Sequence, residues 1–101
     1  MLMIVWEYMV RKDKEAEFEA LYRPDGAWAA FLRRSPAFGG TTLTRDARDR
    51  HRYLIADRWE SEQAYDEFKR EFAVEYQELD EQGRRLHRAE HLIGRFEEVS
   101  A

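Results

Sequence analysis

The sequence predicts an α+β domain: one four-stranded antiparallel sheet with helices on one face, in the split βαβ order β, α(α), β, β, α, β. Three observations lead there. Segments at both ends and in the middle of the chain alternate apolar and polar residues with a period of two, the stretches between them repeat apolar residues at helical spacing, and Pro or Gly marks the joints.

The first segment, from Met3 to Arg11, puts Ile4, Trp6, Tyr8 and Val10 on one side and Glu7 and Arg11 on the other, which is the pattern of a half-buried strand. Asp13 follows as the expected N-cap of a helix carrying Phe18, Leu21 and Tyr22, and Pro24-Asp25-Gly26 breaks it. A second helical piece with Ala27, Trp28, Phe31 and Leu32 ends before Ser35-Pro36, because proline disfavours helix in the residue before it. Thr41 to Ala47 and His51 to Glu60 then read as a hairpin around a charged turn. From Ser61, a good N-cap, Tyr65, Phe68, Phe72, Tyr76 and Leu79 form one stripe of a helix about six turns long, ended by Gly83. The last segment, Ala89 to Val99, alternates again, with Leu92, Gly94 and Phe96 expected on one face and His91, Ile93 and Arg95 on the other.

Both crossovers in this order place their helices on the same face of the sheet. Yet the strand around Ile55 is apolar on both sides, with Leu54 and Ala56 on one and Tyr53, Ile55 and Trp59 on the other. A bare apolar face would associate, so a second copy packed sheet against sheet is the economical solution. Size points the same way. The 101 residues make a single domain, 1–101, and a chain this short buries only roughly 65% of its unfolded surface.

Composition narrows the function classes. The chain has no cysteine, which excludes disulfides, thiolate metal sites and thiol nucleophiles. Its net charge of -4 argues against nucleic acid, and the arginines at 45, 48, 50 and 52 are interleaved with Asp46 and Asp49 as in a solvated loop. No apolar run is long enough to span a bilayer, and the start Met-Leu-Met-Ile-Val-Trp-Glu lacks signal-peptide features, so the expected setting is the cytoplasm with no membrane partner.

The candidate site comes from the strand period. Trp6, Tyr8, Tyr53, Asp57 and Trp59 fall on the helix-facing sides of two strands that this topology makes neighbours, and Trp28, Phe31, Tyr65, Phe68 and Phe72 supply the opposite wall from the helices. An aromatic cavity holding a carboxylate suits a planar apolar ligand, and burial raises that carboxylate's pKa. The competing reading is an aromatic core in which Asp57 is paired with an arginine. An ionised carboxylate on an inward face is expensive unless paired or wet, and Glu90, in step with Leu92 and Phe96, raises the same question. Two inward carboxylates among phenols and indoles suit proton transfer to or from a phenolic ligand.

His87 and His91 have the i, i+4 spacing of a helical metal pair, but Gly83 ends the helix before them and no third ligand stands near; no metal is expected. Nucleotide-binding glycine loops and a G-x-S-x-G elbow are absent from the sequence.

The run Tyr53-Leu54-Ile55-Ala56-Asp57-Arg58-Trp59-Glu60-Ser61, leading into Ala64-Tyr65 and Phe68, resembles the antibiotic biosynthesis monooxygenase family, where a strand ends in Trp-Glu-Ser before a helix carrying alanine and aromatics. The resemblance extends from Ile4 to Val99. It implies a ferredoxin-like chain paired into a dimeric α/β barrel, and oxidation of a hydroxylated, polyketide-like aromatic without metal, flavin or other cofactor. In that reading Trp6, Tyr8 and Trp59 hold the ring and Asp57 or Glu90 takes its proton. Haem-degrading members carry a histidine on the helix after the tryptophan, where this chain has Phe68-Lys69-Arg70. A non-catalytic small-molecule binding or sensing dimer is the alternative, because this fold alone does not license a reaction.

Overall fold

The computed structural model describes residues 1–100, in which eight elements follow one another: β1 (Leu2–Val10), α1 (Glu15–Tyr22), α2 (Ala27–Leu32), β2 (Phe38–Arg45), β3 (Arg52–Trp59), α3 (Glu62–Glu71), α4 (Ala73–Arg84) and β4 (His87–Glu97). The strands form one antiparallel sheet in the order β2-β3-β1-β4. This is the ferredoxin-like order, with β1 and β3 central. No helix among the described residues is long and apolar enough to cross a membrane.

The central pairing sets the faces. Leu2 lies opposite Trp59, Ile4 opposite Asp57, Trp6 opposite Ile55 and Tyr8 opposite Tyr53. These residues face the helices, and Leu2, Ile4, Tyr8, Tyr53, Ile55 and Trp59 are all buried there. The β2–β3 turn is a charged network. The Asp46 carboxylate accepts the backbone amides of Arg48 and Asp49 at 2.7 and 3.0 Å, while Arg52 bridges Asp46 at 3.0 Å and Glu7 of β1 at 2.7 Å. The clustered arginines are therefore part of a turn that ties three strands together.

Five details depart from the sequence expectation. Asp13 does not cap α1: it occupies the left-handed region at φ 66° in a tight turn, and Lys14 stands at the helix boundary without a side-chain cap. Asp tolerates that conformation better than most residues. β2 begins at Phe38, earlier than Thr41, because Gly40 at φ 116° takes up a bulge that lets Phe38 pair opposite Trp59. The long helix after Ser61, whose hydroxyl accepts the Ala64 amide at 3.1 Å, is two helices broken at Phe72 (φ -111°, ψ 35°).

The fourth departure is in β4. Val5 pairs with Gly94 but Trp6 pairs with Leu92, so Ile93 is an extra residue in the strand. The bulge exchanges faces beyond it. Arg95, expected opposite the helices, faces them, meeting Glu62 and Asp66 of α3 at 3.4 and 3.3 Å and lying 5.1 Å over the Tyr65 ring. Phe96 turns to the open face opposite Met3 and is 48% exposed.

Gly83 lies inside α4 and does not follow it. It is buried against Tyr22, and a Cβ there would be driven into the tyrosine hydroxyl. Tyr22 is itself wedged against Phe18 and Tyr8, with ring centroids 4.4 and 5.2 Å away, so it cannot give way cheaply. Helix propensity alone would make Gly83→Ala stabilising by about 1 kcal/mol. Overpacking is expected to win, with a net loss of about 1–2 kcal/mol in urea unfolding; a gain would show that α4 can slide away from α1.

Candidate functional site: an acid-lined aromatic cavity

Packing between sheet and helices is not continuous. One cluster gathers Leu2, Ile4, Phe31, Leu32, Trp59, Tyr65 and Phe68; a second gathers Tyr8, Val10, Phe18, Tyr22, Tyr53 and Ile55. Trp6 of β1 and Trp28 of α2, both only partly buried, pack against both. At this seam is a narrow cavity of about 30 Å³ that opens to a wider mouth, lined from both clusters and by the two tryptophans. That is room for roughly two water molecules.

Cross-strand rows carry the polar groups to two ends of it. In one row Thr41, Asp57 and Ile4 lie side by side on β2, β3 and β1. The Thr41 hydroxyl donates to Asp57 Oδ1 at 2.6 Å, and Oδ2 has no protein partner among the described residues. Burial pushes the Asp57 carboxyl from its ordinary 3.8 up to about 6, against the opposing pull of the Thr41 hydrogen bond and the Arg58 charge. Facing it are Tyr65 of α3 and Tyr76 of α4, whose hydroxyls meet at 3.1 Å. On a straight helix residues eleven apart are separated by about 16 Å along the axis, so the break at Phe72 is what brings this pair together. The Trp28 indole N–H, also on the lining, is buried without an acceptor.

At the other end Tyr8 pairs across the sheet with Glu90 of β4 and donates its hydroxyl to Glu90 Oε1 at 3.1 Å. Glu90 is exposed, so the cavity opens beside it. Partial burial, then the nearby Asp80 carboxylate, raise the Glu90 pKa. Asp80 of α4 completes this end, held by Arg84 at 2.7 Å. Burial raises Tyr8 and Tyr22 above the ordinary phenol value, so both hydroxyls stay protonated at neutral pH.

Of the residues singled out from sequence, the structure brings Trp6, Tyr8, Trp28, Asp57, Tyr65 and Glu90 onto one cavity. Five others lie elsewhere, among them Phe31, which is buried in the first cluster. Trp59 is fully buried between Phe38, Tyr65 and Phe68, with centroids at 5.4 Å from each. Phe68 is in the same cluster, and Phe72 packs on Phe68 and Phe31. Tyr53 points to the far end, where its hydroxyl donates to Glu19 at 2.6 Å; burial, aided by that bond, lifts it to about 12. Strand and helix periods assign a face but not a depth along it, which is why these five were grouped with the rest. Sequence reasoning missed Tyr22, Thr41, Tyr76 and Asp80. Thr41 was within reach as the β2 neighbour of Asp57; Tyr76 and Asp80 depend on the helix break. His87 and His91 both lie on β4, and His87 is buried with its ring 4.9 Å from Tyr8.

Asp57 makes stability depend on pH with a definite sign. A carboxyl whose folded pKa exceeds its unfolded value costs nothing while protonated in both states, and the cost accumulates as pH rises from about 4 to 6. Asp57→Asn removes that cost. The variant should match the parent near pH 4 and exceed it by about 3 kcal/mol at pH 7.5 in urea unfolding; an equal difference at both values would show that Asp57 does not titrate in this range.

No curated protein matches the chain in sequence. Among solved structures, SnoaB from Streptomyces nogalater, described as a cofactor-independent oxygenase, superposes with a TM-score of 0.80 at 22% identity, covering 99% of this chain and 94% of that one. An antibiotic biosynthesis monooxygenase superposes at 0.75 with 16% identity over 99% and 100% of the two chains. PA3566 from Pseudomonas aeruginosa gives 0.73 with 15% identity over 98% and 94%. At these identities the likeness is one of fold. The family model of the antibiotic biosynthesis monooxygenases matches residues 1–76, and with most of its length so matched the chain belongs to that family.

Proposed function

We propose that the chain is a cofactor-independent monooxygenase acting on a hydroxylated aromatic of polyketide type. The observation that carries this reading is Asp57: a carboxyl with a pKa of about 6, one oxygen held by Thr41, at the end of an aromatic-lined cavity. A base of that strength matches the demands of proton transfer near neutral pH. Family membership and the fold shared with SnoaB support the reaction class.

In this mechanism Asp57 Oδ2 takes the proton of the substrate hydroxyl. The resulting phenolate passes an electron to dioxygen, and the radical pair combines at a ring carbon to form a hydroperoxide. The proton held by Asp57 returns to the peroxide and loss of water leaves a carbonyl, so the substrate O–H, one ring C–H and one O₂ become two C=O groups and one H₂O. The chain's residues orient and shield. Trp6 and Trp28 flank the ring, the Trp28 indole N–H is a ready donor to a ligand oxygen, and the Tyr65 and Tyr76 hydroxyls stand where they can hydrogen-bond the anion. Glu90 is the second candidate acid or base, engaged in this state by Tyr8.

The reading includes a homodimer formed through the open sheet face. Phe96, 48% exposed, stands beside Met3 in one open-face row, and Ala56 pairs with Val5 in the next, while Leu92 and Ile93 on the adjoining edge are each 44% exposed. The parent should sediment as a dimer and Phe96→Glu as a monomer; a monomeric parent would remove this part.

The reaction is tested by oxygen uptake with a panel of polycyclic hydroxyaromatics. Uptake above autoxidation is expected, with kcat reduced about 100-fold or more in Asp57→Asn while ligand still quenches tryptophan fluorescence. Quenching without enzyme-dependent uptake would instead favour a binding or sensing role.

A further inference from the structure

The cavity of about 30 Å³ has the wrong size for a ring and the right chemistry for water. Benzene is held by a cavity of about 150 Å³, whereas one water needs about 10–15 Å³ and two to four polar partners. Such partners are present. Thr41 occupies Asp57 Oδ1 at 2.6 Å, so Oδ2 is the carboxyl oxygen left to the cavity. The Tyr65 and Tyr76 hydroxyls meet at 3.1 Å, and since only one of their two protons lies between the oxygens, the other has no protein acceptor among the described residues. The Trp28 indole N–H, on the same wall, is buried without an acceptor.

The wall therefore offers two donors and one acceptor without protein partners, and that mixture selects the occupant. An anion would meet the Asp57 carboxylate, with no lysine or arginine on the lining to offset it. A metal cation would meet the Trp28 N–H. An apolar molecule would leave all three groups unpaired. Water donates and accepts, so one molecule takes a tyrosine proton and gives one of its own to Oδ2, and a second continues toward the mouth. Trp59 marks the contrast: its N–H is also buried without an acceptor, but Phe38, Tyr65 and Phe68 enclose it and it does not line the cavity.

We propose that the cavity is a binding site for two water molecules and that Asp57 works through them, an aromatic ligand stopping at the wider mouth while its proton reaches Oδ2 by way of water. A base that acts through intervening water needs no direct contact with the group it deprotonates. The ligand O–H bond breaks as its proton bonds to the outer water, which passes a proton to the inner one, which passes a proton to Oδ2. A phenolate and a neutral carboxyl result, neither water is consumed, and nothing is oxidised in this step. The relay deepens the proposed function and rests on its choice of Asp57 as the base; the water site does not.

The test is crystallographic, on the chain alone, under xenon pressure, and after an oxygen-free soak in 2-naphthol. The chain alone should show two ordered waters, the inner one within about 3.2 Å of Oδ2 and of the Tyr65 or Tyr76 hydroxyl. Xenon, which enters dry apolar cavities, should leave them in place. In the Asp57→Leu, Tyr76→Phe double variant, stripped of the acceptor and of one donor, the waters should be lost and xenon should enter. The parent decides the matter even where that variant does not fold: xenon in the parent's cavity, or a cavity without water density, overturns the water site and the relay with it. The naphthol oxygen should stand at the mouth, hydrogen-bonded to the outer water. Direct contact between that oxygen and Oδ2 overturns the relay and leaves the oxygenase reading in place. If naphthol binds nowhere at the mouth, the relay and the oxygenase reading fall together, and the water site stands or falls on the first two crystals.

Discussion

The register between β1 and β3 is the constraint on which the rest of the molecule depends. It places Ile4 beside Asp57, Trp6 beside Ile55 and Tyr8 beside Tyr53, all on the side the helices cover. A slip of one residue would send every one of these to the open face, since the strand period is two. Register is held from both directions. The buried rows resist exchange on one side, and on the other Arg52 of β3 ties Glu7 of β1 to Asp46 in the turn. The outer strands then add one polar partner each to this frame: Thr41 for Asp57 and Glu90 for Tyr8.

The cavity follows from incomplete packing between two aromatic clusters that the same frame supports. Trp6 and Trp28 bridge the clusters without closing the gap, and the Trp28 indole N–H is left without an acceptor at the lining. A buried donor with no partner is costly in a core that serves stability alone. So is the Asp57 carboxyl, whose ionisation the surroundings oppose. Both costs fall on the same cavity, while the Trp59 indole N–H, enclosed outside it, is also buried without an acceptor.

The faces of β1 and β3 were legible in the sequence because Trp6, Tyr8, Ile55 and Asp57 alternate cleanly with Glu7, Leu54 and Ala56. The helices were legible from the spacing of Phe18, Tyr22, Phe31, Tyr65 and Phe68, all of which are buried. What escaped was set by tertiary geometry. The Phe72 break occurs without Gly or Pro, so Tyr76 and Asp80 carried no sign that they turn toward Asp57 and Glu90. The extra residue at Ile93 is invisible to a period-two reading, which therefore assigned Arg95 and Phe96 to the wrong faces. Depth was hidden too: Trp59 shares a face with Asp57, yet the rings of Phe38, Tyr65 and Phe68 enclose it.

The break at Phe72 has a consequence for how such a protein diversifies. Floor and roof of the cavity belong to separate parts of the chain: the sheet supplies Asp57 and Glu90, while the elbow between α3 and α4 sets where Tyr65 and Tyr76 hang above them. Substitutions around the elbow can enlarge or narrow the chamber without disturbing strand register, and substitutions on the strands can retune acidity without moving the roof. Cavity size and the acidity of its carboxyls are thereby free to drift separately, so chains of this fold can share the strand carboxyls and still differ in the space above them.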